Sequence, residues 1–162
     1  SGYRVYRATS KDGTYKLVAD LSGSSKTSYT NKNLSPGKTY YYKVRAYKKV
    51  GSNRDYGSYS SKLKASTKCN APVISVTSNY TSKAKITWKK VSGASGYAIY
   101  RSTSKNGSYQ KIKTLKSGST LSFTDTNLKS KKAYYYKIKA YKSADMGNIY
   151  SAYSSMKSVK VK

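Results

Sequence analysis

The stretch TYYYKVRAYKK, residues 39–49, recurs as AYYYKIKAYKS at residues 133–143. In both copies three tyrosines precede an alternation of cationic and apolar residues. A period of two marks a half-buried β-strand, because successive side chains point to opposite faces. Each stretch therefore divides into two sets. In the first copy they are Tyr40, Tyr42, Val44 and Ala46 against Tyr41, Lys43, Arg45 and Tyr47. No window carries a sustained helical apolar period.

The recurrence extends well beyond this strand. SGYRVYRATSKDGTY (1–15) matches SGYAIYRSTSKNGSY (95–109). A shift of 94 residues aligns 1–68 with 95–162 without a gap, and about 29 of the 68 aligned positions are identical. The chain is thus two copies of one module. Between the matched stretches, 69–94 holds APVISV and KAKITW, which have no counterpart in the first copy. The second module is read as complete over 69–162. The first, over 1–68, is read as lacking its first two strands, and the chain as an excerpt from a longer array. The lone Trp88 fits this, since its repeat-mate would precede residue 1. The short connection 67–72 ends in Ala71-Pro72, which implies restricted motion between modules.

Composition narrows the chemistry. The chain has 162 residues, 33 Lys+Arg against 5 Asp+Glu, a formal charge of +28 and no His. All five acids are Asp (Asp12, Asp20, Asp55, Asp125, Asp145), far apart in sequence. The usual general bases are missing, and one Cys without His builds no common zinc set. The expectation is a protein without catalytic activity, metal or cofactor. Cys69 allows no internal disulfide framework. No apolar run is long enough to span a membrane, so no membrane insertion is expected.

The strands follow from alternation and turn signals. Val73–Val76, Ala84–Trp88 and Tyr97–Arg101 read as three strands. Ile112, Leu115 and Phe123 mark further short ones, Tyr134–Tyr141 is the longest, and Tyr153–Val161 closes the module. Asp12-Gly13 and Asn106-Gly107 read as tight hairpin turns favouring positive φ. Seven short strands at this spacing indicate a β-sandwich. Trp88, then GYAIYR, then Leu128 six residues before Tyr134, then YYYKIKAY together resemble a fibronectin type III module. GYRVYR, Leu34, Pro36, Tyr40 and YYYKVRAY repeat the pattern in the first copy. The fold class implied is all-β, two immunoglobulin-like (fibronectin type III) β-sandwiches in tandem. The Lys- and Tyr-rich style also resembles tandem modules of Gram-positive bacterial surface and secreted proteins.

This resemblance assigns the faces. It implies that Tyr40 and Tyr134 point inward, their hydroxyls bonding backbone near the preceding turn as in tyrosine corners. Tyr42, Val44 and Ala46 follow inward by alternation in the first copy, as do Tyr136, Ile138 and Ala140 in the second, where Trp88, Tyr97 and Ile99 are expected to pack against them. The outer set is then Arg4, Tyr6, Tyr41, Lys43, Arg45 and Tyr47 in the first module, and Tyr100, Tyr135, Lys137, Lys139 and Tyr141 in the second. These eleven residues form the candidate ligand face. Two readings compete for it. Cross-strand aromatic and cation–π pairs support a sheet in their own right. The same face also suits an anionic ligand, since a chain of this charge repels itself unless something near it is anionic.

The functional expectation is a non-catalytic extracellular module pair, secreted or held at a cell surface or cell wall. It would act as a spacer and weak binder of anionic polysaccharide or wall polymer, joined to other domains of a longer chain. The alternatives are a protein-adhesion module working through its loops, or nonspecific nucleic-acid binding. Specific nucleic-acid recognition is not expected: 28 cations are Lys and five are Arg, whereas base readout and bidentate phosphate binding favour Arg. No Arg-Gly-Asp tripeptide follows either long strand; Asn53-Arg54-Asp55 lacks the glycine.

Overall fold

The computed structural model describes residues 1–162. Every element is a β-strand, and no helix is long and apolar enough to cross a membrane. The chain divides into two compact units, Ser1–Thr67 and Lys68–Lys162, called modules 1 and 2 below.

Module 1 is a single antiparallel sheet of β1 (Gly2–Ala8), β2 (Lys16–Ser22), β3 (Thr39–Val50), β4 (Asn53–Tyr56) and β5 (Leu63–Ser66). Its order is β2-β1-β3-β4, with β5 also on β3. Module 2 has two sheets. β6 (Ile74–Thr77), β7 (Ala84–Trp88) and β10 (Ser122–Asp125) make a three-stranded sheet in the order β10-β7-β6. β8 (Gly96–Ser102), β9 (Gln110–Leu115), β11 (Ala133–Ala144), β12 (Gly147–Tyr150) and β13 (Lys157–Lys160) make the other, ordered β12-β11-β8-β9, with β13 also on β11.

Module 2 thus has eight strand elements where seven were expected. The extra one is β12. KSADMGNIYS, residues 142–151, is a hairpin in which Gly147, at φ 113°, lets β12 fold back on β11. The closing strand is also shorter than Tyr153–Val161, since β13 holds only Lys157–Lys160. Between β12 and β13 the edge is carried by serines. The Ser151 and Ser154 N–H groups donate to Ala140 and Ile138 carbonyls, and their hydroxyls accept from the Ala140 and Ile138 N–H groups at 3.0 Å. The ladder bonds are satisfied without strand geometry. Asn106-Gly107 and Asp12-Gly13 do lie in hairpins, but neither glycine has positive φ. Gly107 is there for space: a Cβ would sit 3.0 Å from Ser104 Cβ. Left-handed residues fall instead at Asn33 and Gly37, and at their repeat-mates Asn127 and Lys131.

The core of module 2 lies between its sheets: Ile74, Ala84, Ile86 and Trp88 from one, Tyr97, Ile99, Tyr136, Ile138 and Ala140 from the other, with Leu128 and Tyr134 at the corner. The Trp88 and Tyr97 rings pack 5.2 Å apart. In both modules the corner tyrosine behaves as the resemblance implied. Tyr40 Oη accepts from the Ser35 N–H at 3.0 Å, and Tyr134 Oη from the Lys129 N–H at 3.0 Å. Buried Cys69 joins this core, and burial pushes its thiol pKa up. A second polar tie links the sheets. Tyr136 Oη donates to Asp125 Oδ2 at 2.9 Å, and Arg101 holds both oxygens of that carboxylate at 3.0 and 3.2 Å.

Module 1 has the same inner face without a second sheet. Tyr42 and Val44 are half-buried and Ala46 is exposed, whereas their repeat-mates are all buried. Ala46 therefore does not reach a core. A groove of about 670 Å³ opens here, lined by Tyr3, Val5, Tyr42, Val44, Leu21 and Leu34 among others, and the segment carrying Tyr29 and Asn31 closes one side.

Candidate functional site

The outer face of each five-stranded sheet is built by β1 and β3, or by β8 and β11, with the aromatic chain that follows β4 or β12. Register sets what meets what. Arg4 lies opposite Arg45 and Tyr6 opposite Lys43; Tyr100 lies opposite Lys137. Both modules carry a β-bulge at the same place, between Val5 and Tyr6 and between Ile99 and Tyr100. In module 2 it skips Ile112, so Tyr100 faces Lys111 while Ile112 packs on the core. Plain alternation would have put Ile112 on the outer face and lost Lys111 from it.

In module 1 the cations lie on tyrosine rings. Lys43 Nζ is 3.7 Å from the Tyr59 centroid and 4.7 Å from that of Tyr15. Arg45 lies 3.8 Å over Tyr56 and donates to Tyr6 Oη through Nε and Nη2. Arg4 and Arg54 both bind the Asp20 carboxylate, and Lys62 binds Asp12 at 2.8 Å. Burial alone would raise the Asp20 carboxyl, but hydrogen bonds from Arg54 and Arg4 outweigh it and hold it below the usual carboxylate range.

Module 2 repeats the geometry with lysines. Lys137 Nζ sits 4.2 Å from the Tyr109 centroid, and Lys139 Nζ 4.1 Å from that of Tyr153. Tyr100 meets Tyr153 edge-on at 5.0 Å.

Of the eleven sequence-derived residues, Arg4, Tyr41, Lys43, Arg45, Tyr100, Tyr135, Lys137 and Lys139 are half-buried on this face. Three others are not accessible as expected. Tyr47 and Tyr141 are each 3% exposed, and Tyr6 is 9% exposed. Tyr47 and Tyr141 do lie on the outer side, but each ring covers the glycine opposite it, Gly2 or Gly96. A side chain on Gly96 would overlap Tyr141 Oη and Leu115 O. Tyr56 and Tyr150 then pack on these rings at 6.1 and 5.6 Å. Tyr6 is enclosed by Tyr59 and Arg45. Burying a Tyr over a bare glycine removes more apolar area from water than leaving both exposed. Away from the bulge, alternation gives the side of the sheet a residue occupies; it does not give what lies on top.

Sequence reasoning missed Tyr15, Tyr56 and Tyr59, with Tyr109, Tyr150 and Tyr153. The repeat held the signal: Y-x-x-Y-S-S recurs at 56–61 and 150–155, directly after the loops. No group of three His, Cys, Asp or Glu side chains comes together to hold a metal.

No family model matches the chain. It is 30% identical over 176 aligned positions to Exoglucanase B of Cellulomonas fimi; the match covers the whole of this chain and 14% of the exoglucanase. Among solved structures, it is similar to a two-domain fibronectin type III segment of chicken tenascin, with a TM-score of 0.61 and 18% identity over 99% of this chain and 85% of that one. A β-1,2-glucanase from Parabacteroides distasonis matches 67% of this chain with 16% of its own, at TM-score 0.50 and 23% identity.

Proposed function

We propose that this chain, a tandem pair of modules with the fibronectin type III fold, is a non-catalytic part of a longer secreted or surface protein, and that it binds anionic polymers weakly while spacing the domains beside it. The observation that carries this is the outer face, where cations are fixed on tyrosine rings in a chain of charge +28. A stacked Lys or Arg has already lost much of its rotamer freedom, so contact with an anion costs less ordering. A carbohydrate-associated, extracellular setting is supported by the match to a small part of an exoglucanase, and a Gram-positive bacterial source only by the Lys- and Tyr-rich style of the repeats.

Module 1 is proposed to be the same sandwich as module 2, its inner face shaped to receive a strand pair of the β6–β7 kind. Tyr3, Val5, Tyr42 and Val44 line its groove, where Tyr97, Ile99, Tyr136 and Ile138 are fully buried under β6, β7 and β10.

The test is co-sedimentation with purified Gram-positive cell walls, intact or stripped of their phosphate polymers. Retention that survives about 0.15 M salt and disappears on stripping supports the reading. Retention absent throughout, or lost by that salt, leaves a charged spacer only.

A further inference from the structure

The two outer faces share one plan but differ in whether carboxylates pair with their cations. Module 1 places Asp20 and Asp12 among its cations, and three of those cations, Arg4, Arg54 and Lys62, are ion-paired to them. At the repeat-equivalent positions module 2 has Thr114 and Asn106. Its own acids lie elsewhere, Asp125 buried against Arg101 and Tyr136 and Asp145 in the β11–β12 turn. Module 2 also lacks the three paired cations, with Ala98, Asn148 and Met156 at their positions, and carries exposed Lys111 in place of Leu17, which the bulge brings opposite Tyr100.

The result is an array without a carboxylate. Lys137 and Lys139 lie about 7 Å apart along β11, and Lys111 lies about 10 Å across β8 from Lys137. The rings do not offer themselves as sugar platforms. Tyr109 and Tyr153 have a lysine over one face, and Tyr100 is edge-on to Tyr153. They hold the ammonium groups in place, and each ammonium keeps N–H donors for an anion.

We infer that the strip of Tyr109, Lys111, Tyr100, Lys137, Tyr153 and Lys139 is the anion-binding site of this chain. It takes a polymer with repeated phosphate or carboxylate groups rather than a neutral glucan. This rests on the reading of the chain as an anion binder and adds where, and to which chemistry, it binds. Module 1, with two carboxylates among its cations and three of those cations paired to them, contributes less.

The experiment titrates the full chain with polyphosphate, polygalacturonate, a neutral β-glucan and mixed-sequence single-stranded DNA at about 0.15 M salt. The site variant is Lys111→Gln, Lys137→Gln, Lys139→Gln. A charge-matched control is Lys16→Gln, Lys48→Gln, Lys49→Gln in module 1. We expect the site variant to lose about tenfold or more in affinity for one or both anionic polymers, the control less than about threefold, and the glucan not to bind. The polymer held more tightly identifies the anion. Arginine at the same three positions retains the charge and is expected to retain binding, which separates a binding loss from misfolding. Equal losses in site and control variants overturn the located site and leave diffuse binding standing. No wild-type binding to either anionic polymer overturns both. Glucan binding that the site variant does not change, or DNA held more tightly than both polymers through these lysines, overturns the ligand class.

Discussion

At the scale of single residues, the repeats provide internal comparisons. The corner tyrosines accept from a backbone N–H five residues earlier in both modules. Tyr134→Phe removes that acceptor and is expected to cost about 1 kcal/mol. Trp88, the single tryptophan, packs in the module 2 core, so its fluorescence during urea unfolding reports that module specifically. The Asp125 tie differs between copies: at the equivalent place Asn31 donates to Tyr42 Oη. Asp125→Asn copies this but leaves Arg101 without its carboxylate. With the Arg101 side chain about a third exposed, the cost should be about 2 kcal/mol rather than that of a fully buried pair. The same group gives a pH dependence. Burial first, and the Asp125 charge next, raise the Tyr136 pKa well above 10. The folded state then holds its proton more tightly than the unfolded chain. Stability from this source is complete below about pH 10 and is lost as pH rises beyond it. Urea midpoints read by Trp88 at about pH 8 and about pH 11 should fall less for Tyr136→Phe than for the parent.

At the scale of elements, two devices decide how the sheets end. Serine hydroxyls bridge the gap between β12 and β13. Ser154→Ala leaves the Ile138 N–H without that acceptor, and hydrogen exchange should show the Ile138 amide exposed faster while amides of β7 stay unchanged. The second device is the tyrosine laid over a cross-strand glycine. Tyr141→Ala uncovers Gly96 and is expected to cost about 3 kcal/mol, in the range of large aromatic truncations. The same change at Tyr135, half-buried, should cost much less; a similar cost at both positions would refute the covering role. The long strands and β7 were legible in the sequence because their apolar period is regular over five residues or more. β12 was not, because four residues whose apolar side chains, Ile149 and Tyr150, are adjacent carry no period of two, and the strand exists through its pairing with β11.

At the scale of the whole molecule, the two modules should differ in protection. Amides of β1 and β3 should exchange faster than those of β8 and β11, since only the latter lie beneath a second sheet. Adding a peptide of residues 69–94 in excess should slow exchange in module 1 if its groove accepts a β6–β7 type strand pair. No change with peptide, or equal protection in the two modules without it, would refute that role. The charge is also uneven, with fourteen cations against three acids in module 1 and nineteen against two in module 2. Binding to an anionic polymer should therefore weaken steeply with salt.

The sequence by itself determined the repeat and the all-β class, from local periods and from comparing two copies, and its resemblance to fibronectin type III modules added the tyrosine corners and the side of the sheet that residues of the long strands take. Only the tertiary structure decided which outer tyrosines are reachable. Tyr47 and Tyr141 share alternation with Tyr41 and Tyr135, yet a glycine across the strand draws their rings flat and buries them. It also decided that a bulge brings Lys111 beside Tyr100, and that Tyr109 and Tyr153, distant in sequence, serve as seats for Lys137 and Lys139. Contacts across strands depend on register and on which residues are missing a side chain, and neither is written in the period of one strand.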